Sequence, residues 1–551
     1  MMHHRRRRHP PICVCFHNTL PRCVVSRAMR SNWIYPLLWA VVSVTTLKHV
    51  SSYRILGLFA HPGLSHFKVF HPIMRGLAEA GHQVTVVSYF PSLDEPHPNY
   101  VDFTFQGQEL LTNAFSLEGF SRRTFLDNFV EFFELASWGF ETCSTALNSP
   151  ALDQVLALHR SKPFDLIVTE FFSTDCMLGV SHVMQVPFAG LSSCALMPWH
   201  YARVGLPDSP AYIPSEFSTF SERMGFWERF ENWFVIRSVN LLYRIMEWND
   251  NRLLAIKFGA GIPAVRDIAR NTSLILVNQH YTLSGARPLV PAVVEIGGVH
   301  IQNQKRLPTD IQELLDGSPE GVIVISWGSV LRASTLPQEK RDAIINALSQ
   351  IPMKVLWKWE DDSPKDLPKN VIVRKWLPQR DVLCHPNVHL FLSHGGLLGV
   401  SEAVHCSVPV VTTPIYGDQH LNAAALDNRG MGITMHYHKI TPEYVLKCIR
   451  AALDPSIREA AIAVSEAYGH RPQTPVELAV WSIENVLKNG VRRLDRSYGS
   501  QLSVVVYESL DVILVLGVVI ALTLTSIYLI SKRISSLFEA KQRVVKKTKR
   551  S

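Results

Sequence analysis

The fold of this chain is limited above all by short apolar segments that alternate with segments of helix length. The first series contains RILGLFA at 54–60, HQVTVVS at 82–88, FDLIVTE at 164–170 and VPFAGLS at 186–192. Runs of this kind, bounded by turn residues, are typical of strands buried in a parallel sheet. A helical pattern at 65–80 separates the first two runs, so the sequence predicts a βαβ opening.

A second series of the same kind begins after the proline-punctuated segment 287–291. Its runs begin at residues 294, 322, 354, 371, 388 and 408, and they read VEIGGVH, VIVISWG, KVLWKW, VIVRKWL, VHLFLSH and VPVVTTP. Because the alternation restarts here, the sequence predicts two Rossmann-like α/β domains, 53–288 and 289–490, that face each other across a cleft. Ligands of such sheets bind beyond the carboxyl ends of the strands.

The C-terminal segment has the composition of a membrane anchor. No charged residue lies between Val512 and Ile530, and a helix of this length spans roughly 28 Å of a hydrocarbon core that is about 30 Å thick. We predict a juxtamembrane linker at 491–511, a transmembrane helix at 512–530 and a basic cytosolic tail at 531–551, because positive charge favours the cytosolic side.

The N-terminal end has the features of an exported protein. Residues 1–28 are rich in arginine and contain no acidic residue, and we interpret them as a leader outside the folded protein. Residues 29–52 combine an apolar stretch with small residues near their end, which predicts a secretory signal peptide. Together these features predict a single-pass type I protein of the endoplasmic reticulum membrane whose large central part is lumenal.

Charge and cysteine content limit the kinds of partner and metal site that the sequence predicts. The central body has a mildly acidic balance, which argues against a nucleic-acid partner. The cysteines outside the leader show no spacing typical of a zinc site or of a disulfide framework. A glycosylation sequon, Asn271-Thr272-Ser273, falls in the predicted lumenal part. The sequence leaves the oligomeric state open, with a homo-oligomer among the alternatives.

The stretch HGGLLGVSEAVH at 394–405 joins a predicted strand to a predicted helix. Glycines allow the backbone to approach an anion closely, and the first turn of a helix presents unpaired N–H groups and a partial positive charge. No Gly-Lys-Ser/Thr follows, as a Walker loop would require, so the expected ligand is a nucleoside diphosphate held without that loop. Glu402, further along the helix, can accept hydrogen bonds from both hydroxyls of a ribose.

Two further pairs of residues complete the predicted pocket. Asp418 and Gln419 follow the next predicted strand, and their oxygens suit sugar hydroxyls. Trp376 and Gln379, in WLPQ, offer an aromatic face and an amide to a planar base. The sequence therefore predicts a site for a nucleotide sugar.

The segment from Trp376 to Asn422 resembles the donor-binding signature of the animal UDP-glycosyltransferases, and its HGGLLG form is similar to the insect branch. The resemblance extends to ISWGS at 325–329, to GLSHF at 63–67 and to the apolar and basic segments at the two ends of the chain. It implies the GT-B architecture, with a UDP-sugar in the C-terminal domain and a small lipophilic acceptor in the N-terminal domain.

The same resemblance implies a role for particular residues in donor binding. They are Trp376 at the uracil, Gln379 at the uridine, Glu402 at the ribose, Ser329, His394 and Gly395 at the diphosphate, and Asp418 and Gln419 at the sugar. Leu398 stands where many vertebrate relatives have Asn, so a side-chain contact to the phosphate is missing here. The Asp-Gln pair suits glucose or glucuronate, and the insect-like character favours glucose.

His66 is the predicted general base. It lies just after the first strand in HPGLSHF and matches the catalytic histidine of the family, and an imidazole is suited to accept a proton near neutral pH. His61 and His71 are interpreted as capping or surface groups. A carboxylate should orient the base: Glu170 stands where the family has an Asp, Asp175 lies five residues further on, and Asp175 is preferred because the acid of the family is Asp.

The predicted reaction is an inverting transfer of a hexose to a hydroxyl of a small lipophilic acceptor, for detoxification or metabolite conjugation. No metal or other cofactor is expected, since no Asp-x-Asp sequence is present. Two alternatives are a nicotinamide-dependent oxidoreductase, because Gly395, Gly396 and Gly399 form a loose dinucleotide fingerprint, and a catalytically silent carrier of lipophilic ligands. Intact His66 and Asp418 argue against the carrier.

Overall fold

The computed structural model describes three stretches of the chain, 52–364, 367–490 and 497–549. The predicted leader at 1–28 and nearly all of the predicted signal peptide at 29–52 lie outside the described residues. The described residues from Ser52 onward belong to one compact unit.

The strands of the described chain are β1 Arg54–Leu58, β2 Gln83–Ser88, β3 Tyr100–Thr104, β4 Phe115–Ser116, β5 Leu166–Glu170, β6 Phe188–Ser192, β7 Ile275–Val277, β8 Val293–Glu295, β9 Val322–Ser326, β10 Leu331–Arg332, β11 Lys354–Lys358, β12 Val371–Arg374, β13 Val388–Ser393, β14 Val410–Thr412 and β15 Gly432–Thr434.

The α-helices are α1 Leu64–Glu79, α2 Asp127–Asn148, α3 Pro150–Ser161, α4 Met177–Met184, α5 Phe226–Phe258, α6 Val265–Ala269, α7 Tyr281–Ser284, α8 Thr309–Asp316, α9 Gln338–Ser349, α10 Gln379–Leu383, α11 Leu397–His405, α12 Gln419–Asn428, α13 Pro442–Ala452, α14 Pro455–Gly469, α15 Pro475–Asn489, α16 Val504–Tyr507 and α17 Leu510–Thr548. Short 3-10 helices lie at Pro198–Arg203, Ala333–Thr335, Tyr437–Lys439 and Tyr498–Gln501.

Two parallel sheets organise these elements. The first has the strand order β3-β2-β1-β5-β6-β7-β8, and the second has the order β12-β11-β9-β13-β14-β15. Gly57 in β1 pairs with Val86 on one side and Val168 on the other, so β1 lies inside its sheet. The apolar runs of both series become strands that are almost wholly buried, as expected when helices cover both faces of a parallel sheet.

The run VEIGGVH at 294–300 does not belong to the second sheet, which corrects its place in the second series. β8 pairs in parallel with β7 of the first sheet, and the glycines that follow turn the chain away. α15 also returns to the first sheet, because Ala479 and Ile483 pack in the same core as α1. Apolar periodicity predicts that a segment is buried, but it does not specify which sheet buries it.

A second connection between the two sheet regions was not predicted. β4 pairs in parallel with β10, Phe115 with Leu331 and Ser116 with Arg332. The Tyr437 hydroxyl also donates to a backbone carbonyl at the end of this segment, at 2.5 Å. The chain after β3 therefore reaches across to the second sheet region.

Two disulfides among the described residues contradict the interpretation of the cysteine spacing. Cys143 is bonded to Cys176, with Cα atoms 5.9 Å apart, and Cys384 is bonded to Cys406, with Cα atoms 4.7 Å apart. The two cysteines of each pair are far apart in sequence and become close only when helices pack. No short spacing in the sequence therefore predicts either bond. Disulfides are typical of proteins that fold in an oxidising compartment.

The predicted apolar helix at the C-terminus is confirmed. α17 is longer than the predicted span at 512–530 and continues into the predicted tail. Its segment Leu510–Lys541 is long and apolar enough to cross a membrane, and none of its most apolar stretch is buried. Just before this helix, Glu508 lies 3.2 Å from Arg237 of α5, which ties the start of the helix to the first sheet region.

Candidate active site

A cavity of about 650 Å³ opens between the carboxyl ends of the two sheets. Its wall includes most of the residues selected from the sequence: His66, Ser329, Trp376, Gln379, His394, Glu402, Asp418 and Gln419. Gly395, Glu170 and Asp175 do not line this cavity in the described chain. The cleft predicted from the two series of strands therefore contains the predicted ligand groups of both domains.

His66 lies in the first turn of α1, and Glu170 is the last residue of β5. Because β1 and β5 are neighbours, their carboxyl ends bring the two side chains to one edge, where His66 Nδ1 lies 2.5 Å from Glu170 Oε1. Ser193, which follows β6, has its Oγ 2.9 Å from the same nitrogen and donates to Glu170 at 3.2 Å. The imidazole is thus held through Nδ1, which leaves Nε2 for a substrate.

The preference for Asp175 as the partner of His66 is wrong. Asp175 is 3% exposed and accepts hydrogen bonds from Arg203 and from the Tyr243 hydroxyl, the latter at 2.8 Å. These partners belong to the first 3-10 helix and to α5, so the carboxylate is held inside the first domain. The alternative, Glu170, is the carboxylate that contacts the imidazole, and its longer side chain spans the gap from the strand end.

His61 and His71, the two histidines near His66 in the sequence, lie in different environments. His61 accepts a hydrogen bond from the backbone N–H of Gly63 at 3.0 Å, as a capping group does, but its ring also stacks on that of His66 with centroids 4.0 Å apart. Burial, with a smaller effect of His66, lowers the pKa of His61 well below its ordinary value. His71 is buried in the core rather than at the surface, with Nε2 3.0 Å from the Ser92 hydroxyl.

His61, His66 and Glu170 each place one ligand atom within 4.8 Å of the others, a spacing that a divalent cation can bridge. The contact between His66 and Glu170 already satisfies both groups by a hydrogen bond. The expectation that the reaction needs no metal ion therefore stays a prediction.

The end of the cavity that is predicted to hold the diphosphate is built by the turn between β13 and α11. Gly395 has φ +88°, and a Cβ there would lie 3.0 Å from the carbonyl oxygen of Gln419, so this turn requires glycine. No side chain caps the first turn of α11 at Gly396. Its backbone N–H groups are therefore available to an anion, apart from that of Leu397, which hydrogen-bonds the Asp418 carboxylate.

His394 is packed between glycines beside this turn. A Cβ on Gly328 would lie 2.6 Å from its ring, and a Cβ on Gly396 would lie 2.4 Å from it. Burial, with a smaller effect of Lys358, lowers the pKa of His394 to about 4, so the imidazole is neutral at pH 7 and donates from one nitrogen. Its Nδ1 has no hydrogen-bond partner among the described residues. Ser329, next to Gly328, lines the same part of the cavity.

Trp376, Gln379 and Glu402 line the end of the cavity that is predicted to hold the nucleoside. Gln379 Nε2 donates to Glu402 Oε2 at 2.7 Å, and burial raises the pKa of Glu402 to about 7 despite that hydrogen bond. The Trp376 side chain is 55% exposed, with the Nζ atoms of Lys68 and Lys358 at 5.3 and 5.8 Å from its ring centre. An open indole face beside an amide and a carboxylate can hold a base and its ribose.

Asp418 and Gln419 lie at the start of α12, on the side of the cavity toward His66. Burial raises the pKa of Asp418, and a hydrogen bond from Asn422 at 3.0 Å and the proximity of His66 oppose that effect. Gln419 Oε1 accepts from the backbone N–H of Ile415 at 2.9 Å, so this oxygen supports the loop and the amide N–H₂ remains for a sugar.

An apolar part of the cavity wall comes from α2, β4 and nearby loops of the first domain. It is formed by Leu111, Phe115, Leu135, Trp138, Phe172, Met197 and Phe217. An apolar wall with a few polar groups is typical of a pocket for a small lipophilic molecule.

Sequence reasoning missed several polar residues that line this cavity, among them Ser193, Lys358, Lys68 and His300. Ser193 and Lys358 follow or end strands of the two sheets, so a search for polar residues at every strand end would have found them. Lys68 lies within α1, where no pattern marks it. His300 lies 3.9 Å from Glu402 through Nε2, and burial lowers its pKa to about 4.

Comparison with known structures addresses the fold. The chain aligns with the glycotransferase of kitacinnamycin at a TM-score of 0.53 and 16% identity, over 79% of this chain and 99% of that one. It aligns with the spinosyn forosaminyltransferase SpnP at a TM-score of 0.52 and 17% identity, over 80% and 100% of the two chains. These likenesses show the GT-B fold of two α/β domains.

Comparison with known sequences addresses the family. The chain is 36% identical to "UDP-glycosyltransferase UGT5" of Dactylopius coccus, over 80% of this chain and 84% of that protein. It is 32% identical to "UDP-glucosyltransferase 2" of the same organism, over 84% and 89% of the two chains, and 28% identical to "UDP-glucuronosyltransferase 1A3" of Rattus norvegicus, over 85% and 89%. Since the family model described as "UDP-glucoronosyl and UDP-glucosyl transferase" matches residues 58–551, the chain is a glycosyltransferase that belongs to this family.

Proposed function

We propose that this enzyme transfers glucose from UDP-glucose to a hydroxyl of a small lipophilic acceptor, with inversion at the sugar carbon and with His66 as general base. The observation that carries this proposal is the contact of His66 Nδ1 with Glu170 at 2.5 Å, at the edge of a cavity that also contains Asp418.

In the proposed reaction, His66 Nε2 takes the proton of the acceptor hydroxyl as its oxygen attacks the anomeric carbon. Nδ1–H donates to Glu170, which holds the tautomer and stabilises the imidazolium that forms. The bond from the anomeric carbon to the diphosphate oxygen breaks, and UDP leaves with the electron pair. The N–H groups at the start of α11 and neutral His394 then stabilise the developing charge on the diphosphate.

Glucose as the donor sugar is supported by two considerations. A relative at 32% identity is named a UDP-glucosyltransferase, whereas the rat relative named a glucuronosyltransferase is 28% identical. Asp418 and Gln419 also offer oxygen and N–H groups to the hydroxyls of a neutral hexose. The apolar acceptor wall supports a lipophilic acceptor, which suits conjugation for detoxification or of metabolites.

We also propose that the reaction needs no metal ion, because the helix N-terminus and the histidines offer the required charge stabilisation. Enzyme incubated with EDTA and dialysed should retain its rate of UDP release. A loss that added Mg²⁺ or Zn²⁺ restores would contradict this part of the proposal.

For location, we propose a type I protein of the endoplasmic reticulum membrane with a lumenal catalytic part and a cytosolic C-terminus. The apolar α17, the basic residues that follow it and the two disulfides support this arrangement, because disulfides persist in oxidising compartments.

The test is UDP release by the full chain in microsomes, with UDP-glucose and a panel of phenols. We expect acceptor-dependent release, and a fall of about 10²- to 10⁴-fold in His66→Ala, the usual range for a general base. His438→Ala changes an exposed histidine away from the cavity and should leave the rate unchanged. No release with any acceptor would favour a silent carrier of lipophilic ligands.

A further inference from the structure

The long helix α5 has apolar residues on the side that faces away from the protein. Its inner side packs in the first domain through residues that include Val235, Val239 and Tyr243. Further apolar residues recur at intervals of three, four or eight positions, which places them together on the opposite face of the helix. They are Phe226, Phe230, Trp233, Leu241, Ile245 and Trp248, each between 48% and 63% exposed. We call these six residues the outer face of α5.

Other exposed apolar side chains extend the outer face into a larger patch. Trp227, the second residue of α5, is 75% exposed. Phe234 is also exposed, and its ring centre lies 6.0 Å from that of Phe125, just before α2; Leu126 beside it is exposed as well. Single apolar residues are normal at a protein surface, but a contiguous patch indicates a contact with another molecule or with a membrane.

The apolar helix α17 begins beside this patch. Arg237 lies between the two halves of the outer face, and its guanidinium is 3.2 Å from Glu508, two residues before α17 begins. The Tyr507 hydroxyl donates to the Leu206 carbonyl at 3.2 Å, which is a second contact between this segment and the first domain. The outer face of α5 is therefore held next to the point where the chain enters the proposed membrane.

The segment that leads into α17 is apolar as well. Val504, Val505 and Val506 of α16 are each about half exposed, and none of the most apolar stretch of α17 is buried. Apolar side chains are thus exposed on both sides of the contact between Arg237 and Glu508.

The chemistry of the outer face fits the headgroup layer of a bilayer. Tryptophan is enriched at membrane–water interfaces, because its ring is apolar and its N–H is polar, and the patch contains Trp227, Trp233 and Trp248. The Arg252 guanidinium lies 5.6 Å from the Trp248 ring centre, and an arginine at this depth can extend its charge to lipid phosphates. A partner protein could bind any side of the domain, whereas a bilayer that α17 crosses has to lie where α17 begins.

We propose that the outer face of α5 lies in the headgroup layer of the bilayer that α17 crosses, and that it attaches the catalytic part to the membrane surface. Amphipathic helices bind in this way, in the plane of the interface with the apolar side buried. The contact of Arg237 with Glu508 determines which side of the domain faces the bilayer. The proposal rests on the proposed location, since it requires that α17 spans the membrane.

The test is tryptophan fluorescence of the full chain in phosphatidylcholine vesicles whose acyl chains carry bromine close to the headgroups. Bromine quenches only the tryptophans that lie at the bilayer. No tryptophan follows Trp481 in the sequence, so α17 itself contributes no signal. We expect the emission of the wild type to be lower in brominated than in ordinary vesicles.

Replacement of the reporters should locate the contact. Trp233→Phe with Trp248→Phe keeps the outer face apolar and should remove about half of the quenching or more, because these residues are two of the three exposed tryptophans of the patch. Trp481→Phe is the matched control, since Trp481 is 56% exposed but belongs to α15, which packs against α1. This variant should leave the quenching unchanged.

A second variant tests the attachment with all tryptophans in place. Leu241→Glu with Ile245→Glu adds two charges to the outer face, which opposes its burial among lipids, and should reduce the quenching of the remaining chain. Both positions are exposed, so the fold should tolerate the change. A wild type without quenching, or equal quenching in the wild type and in both double variants, would overturn the proposal. Cross-linking of two chains through α5 in vesicles that cause no quenching would assign the patch to a second copy instead.

Failure of the proposed location has a different outcome. Extraction of the wild type from the vesicles by alkaline carbonate would show that α17 does not span the bilayer, and the proposal would fall together with the location. A chain that resists extraction but shows no quenching keeps the location and overturns only the attachment of α5. Neither measurement uses sugar transfer, so both are independent of the proposed reaction.

Discussion

Glu170 and Asp175 are two carboxylates, five residues apart, that the fold uses in different ways. Glu170 ends a strand and contacts His66 at the cavity edge, while Asp175 is enclosed by Arg203 and Tyr243. The predicted strand run already ended at Glu170, as β5 does, so the wrong choice came from preferring the residue type of the family to the position at the strand end. Substitution of Glu170 should therefore affect catalysis, whereas substitution of Asp175 should affect stability.

Glu170→Gln should lower kcat for UDP release by about 10²-fold or more with little change in KM, because the amide no longer fixes the tautomer of His66 or stabilises its charged form. The measurement is a steady-state comparison with the wild type. Glu170→Asp should recover part of the loss. A normal kcat in Glu170→Gln would remove this carboxylate from the mechanism.

Asp175→Asn should instead reduce stability, since breaking a buried ion pair leaves Arg203 without its charged partner and costs on the order of 3–5 kcal/mol. We expect a lower Tm together with a kcat per folded molecule close to that of the wild type. A large loss of kcat without a change in Tm would show that Asp175 acts in catalysis after all.

Glu402 gives the stability of the fold a defined dependence on pH. Burial raises the pKa of its carboxyl group from 4.5 to about 7, so the folded state holds this proton more tightly than the unfolded chain does. The stabilising contribution is complete below about pH 4.5 and is lost as the pH rises through about 7. Each pH unit in that window costs up to about 1.4 kcal/mol. Thermal unfolding without ligand should show a decrease in Tm from pH 5 to 7, and this decrease should be smaller in Glu402→Gln than in the wild type. An equal decrease in both proteins would contradict the raised pKa of Glu402.

At the scale of elements, most parallel strands were predictable because they are short apolar runs between turn residues, but β3, β7 and β15 were not predicted. The predicted helix at 65–80 agrees with α1 within one residue at each end. The packing of β8 and α15 with the first sheet could not be predicted from the sequence, because it depends on contacts between segments far apart in sequence. The pairing of β4 with β10 involves only two residues from each strand, which is too short for a periodic signal.

The turn before α11 should be sensitive to a single methyl group. Gly395→Ala places a Cβ 3.0 Å from the Gln419 carbonyl at φ +88°, and a side chain in this conformation costs about 1–2 kcal/mol. Because the strained turn carries the N–H groups that we propose bind the diphosphate, we expect UDP binding, measured by titration calorimetry, to weaken about tenfold or more.

Gly430→Ala is the matched control for that change. Gly430 also has a positive φ, +71°, but a Cβ there would meet only Ala460 at 3.7 Å, and it does not line the cavity. The Gly430→Ala variant should lose about as much stability as Gly395→Ala, while its Kd for UDP stays unchanged. Equal losses of UDP affinity in the two variants would mean that general destabilisation, and not the turn, explains the effect.

At the scale of the whole molecule, the cavity exists because residues from both sheet regions meet at their carboxyl ends. The residues selected as ligand groups were predictable from strand–turn–helix patterns, whereas the pairing of β4 with β10 was not, since it joins the two sheet regions. The same holds for the contact of Glu508 with Arg237, which fixes the beginning of α17 against α5. Position relative to the membrane is therefore a property of the complete chain and is best tested on it.

The proposed orientation has a direct consequence for Asn271. This residue lies in the first domain, in the connection between α6 and β7, and its side chain is exposed; the sequon can receive a glycan only if this domain enters the lumen. Expression in cells should give a band that shifts on endoglycosidase treatment, and Asn271→Gln should remove the shift. Protease added to sealed microsomes should cut only the basic residues beyond the apolar part of α17. A glycan-free chain whose catalytic part is digested in sealed vesicles would place the active site in the cytosol, because lumenal domains are protected by the membrane.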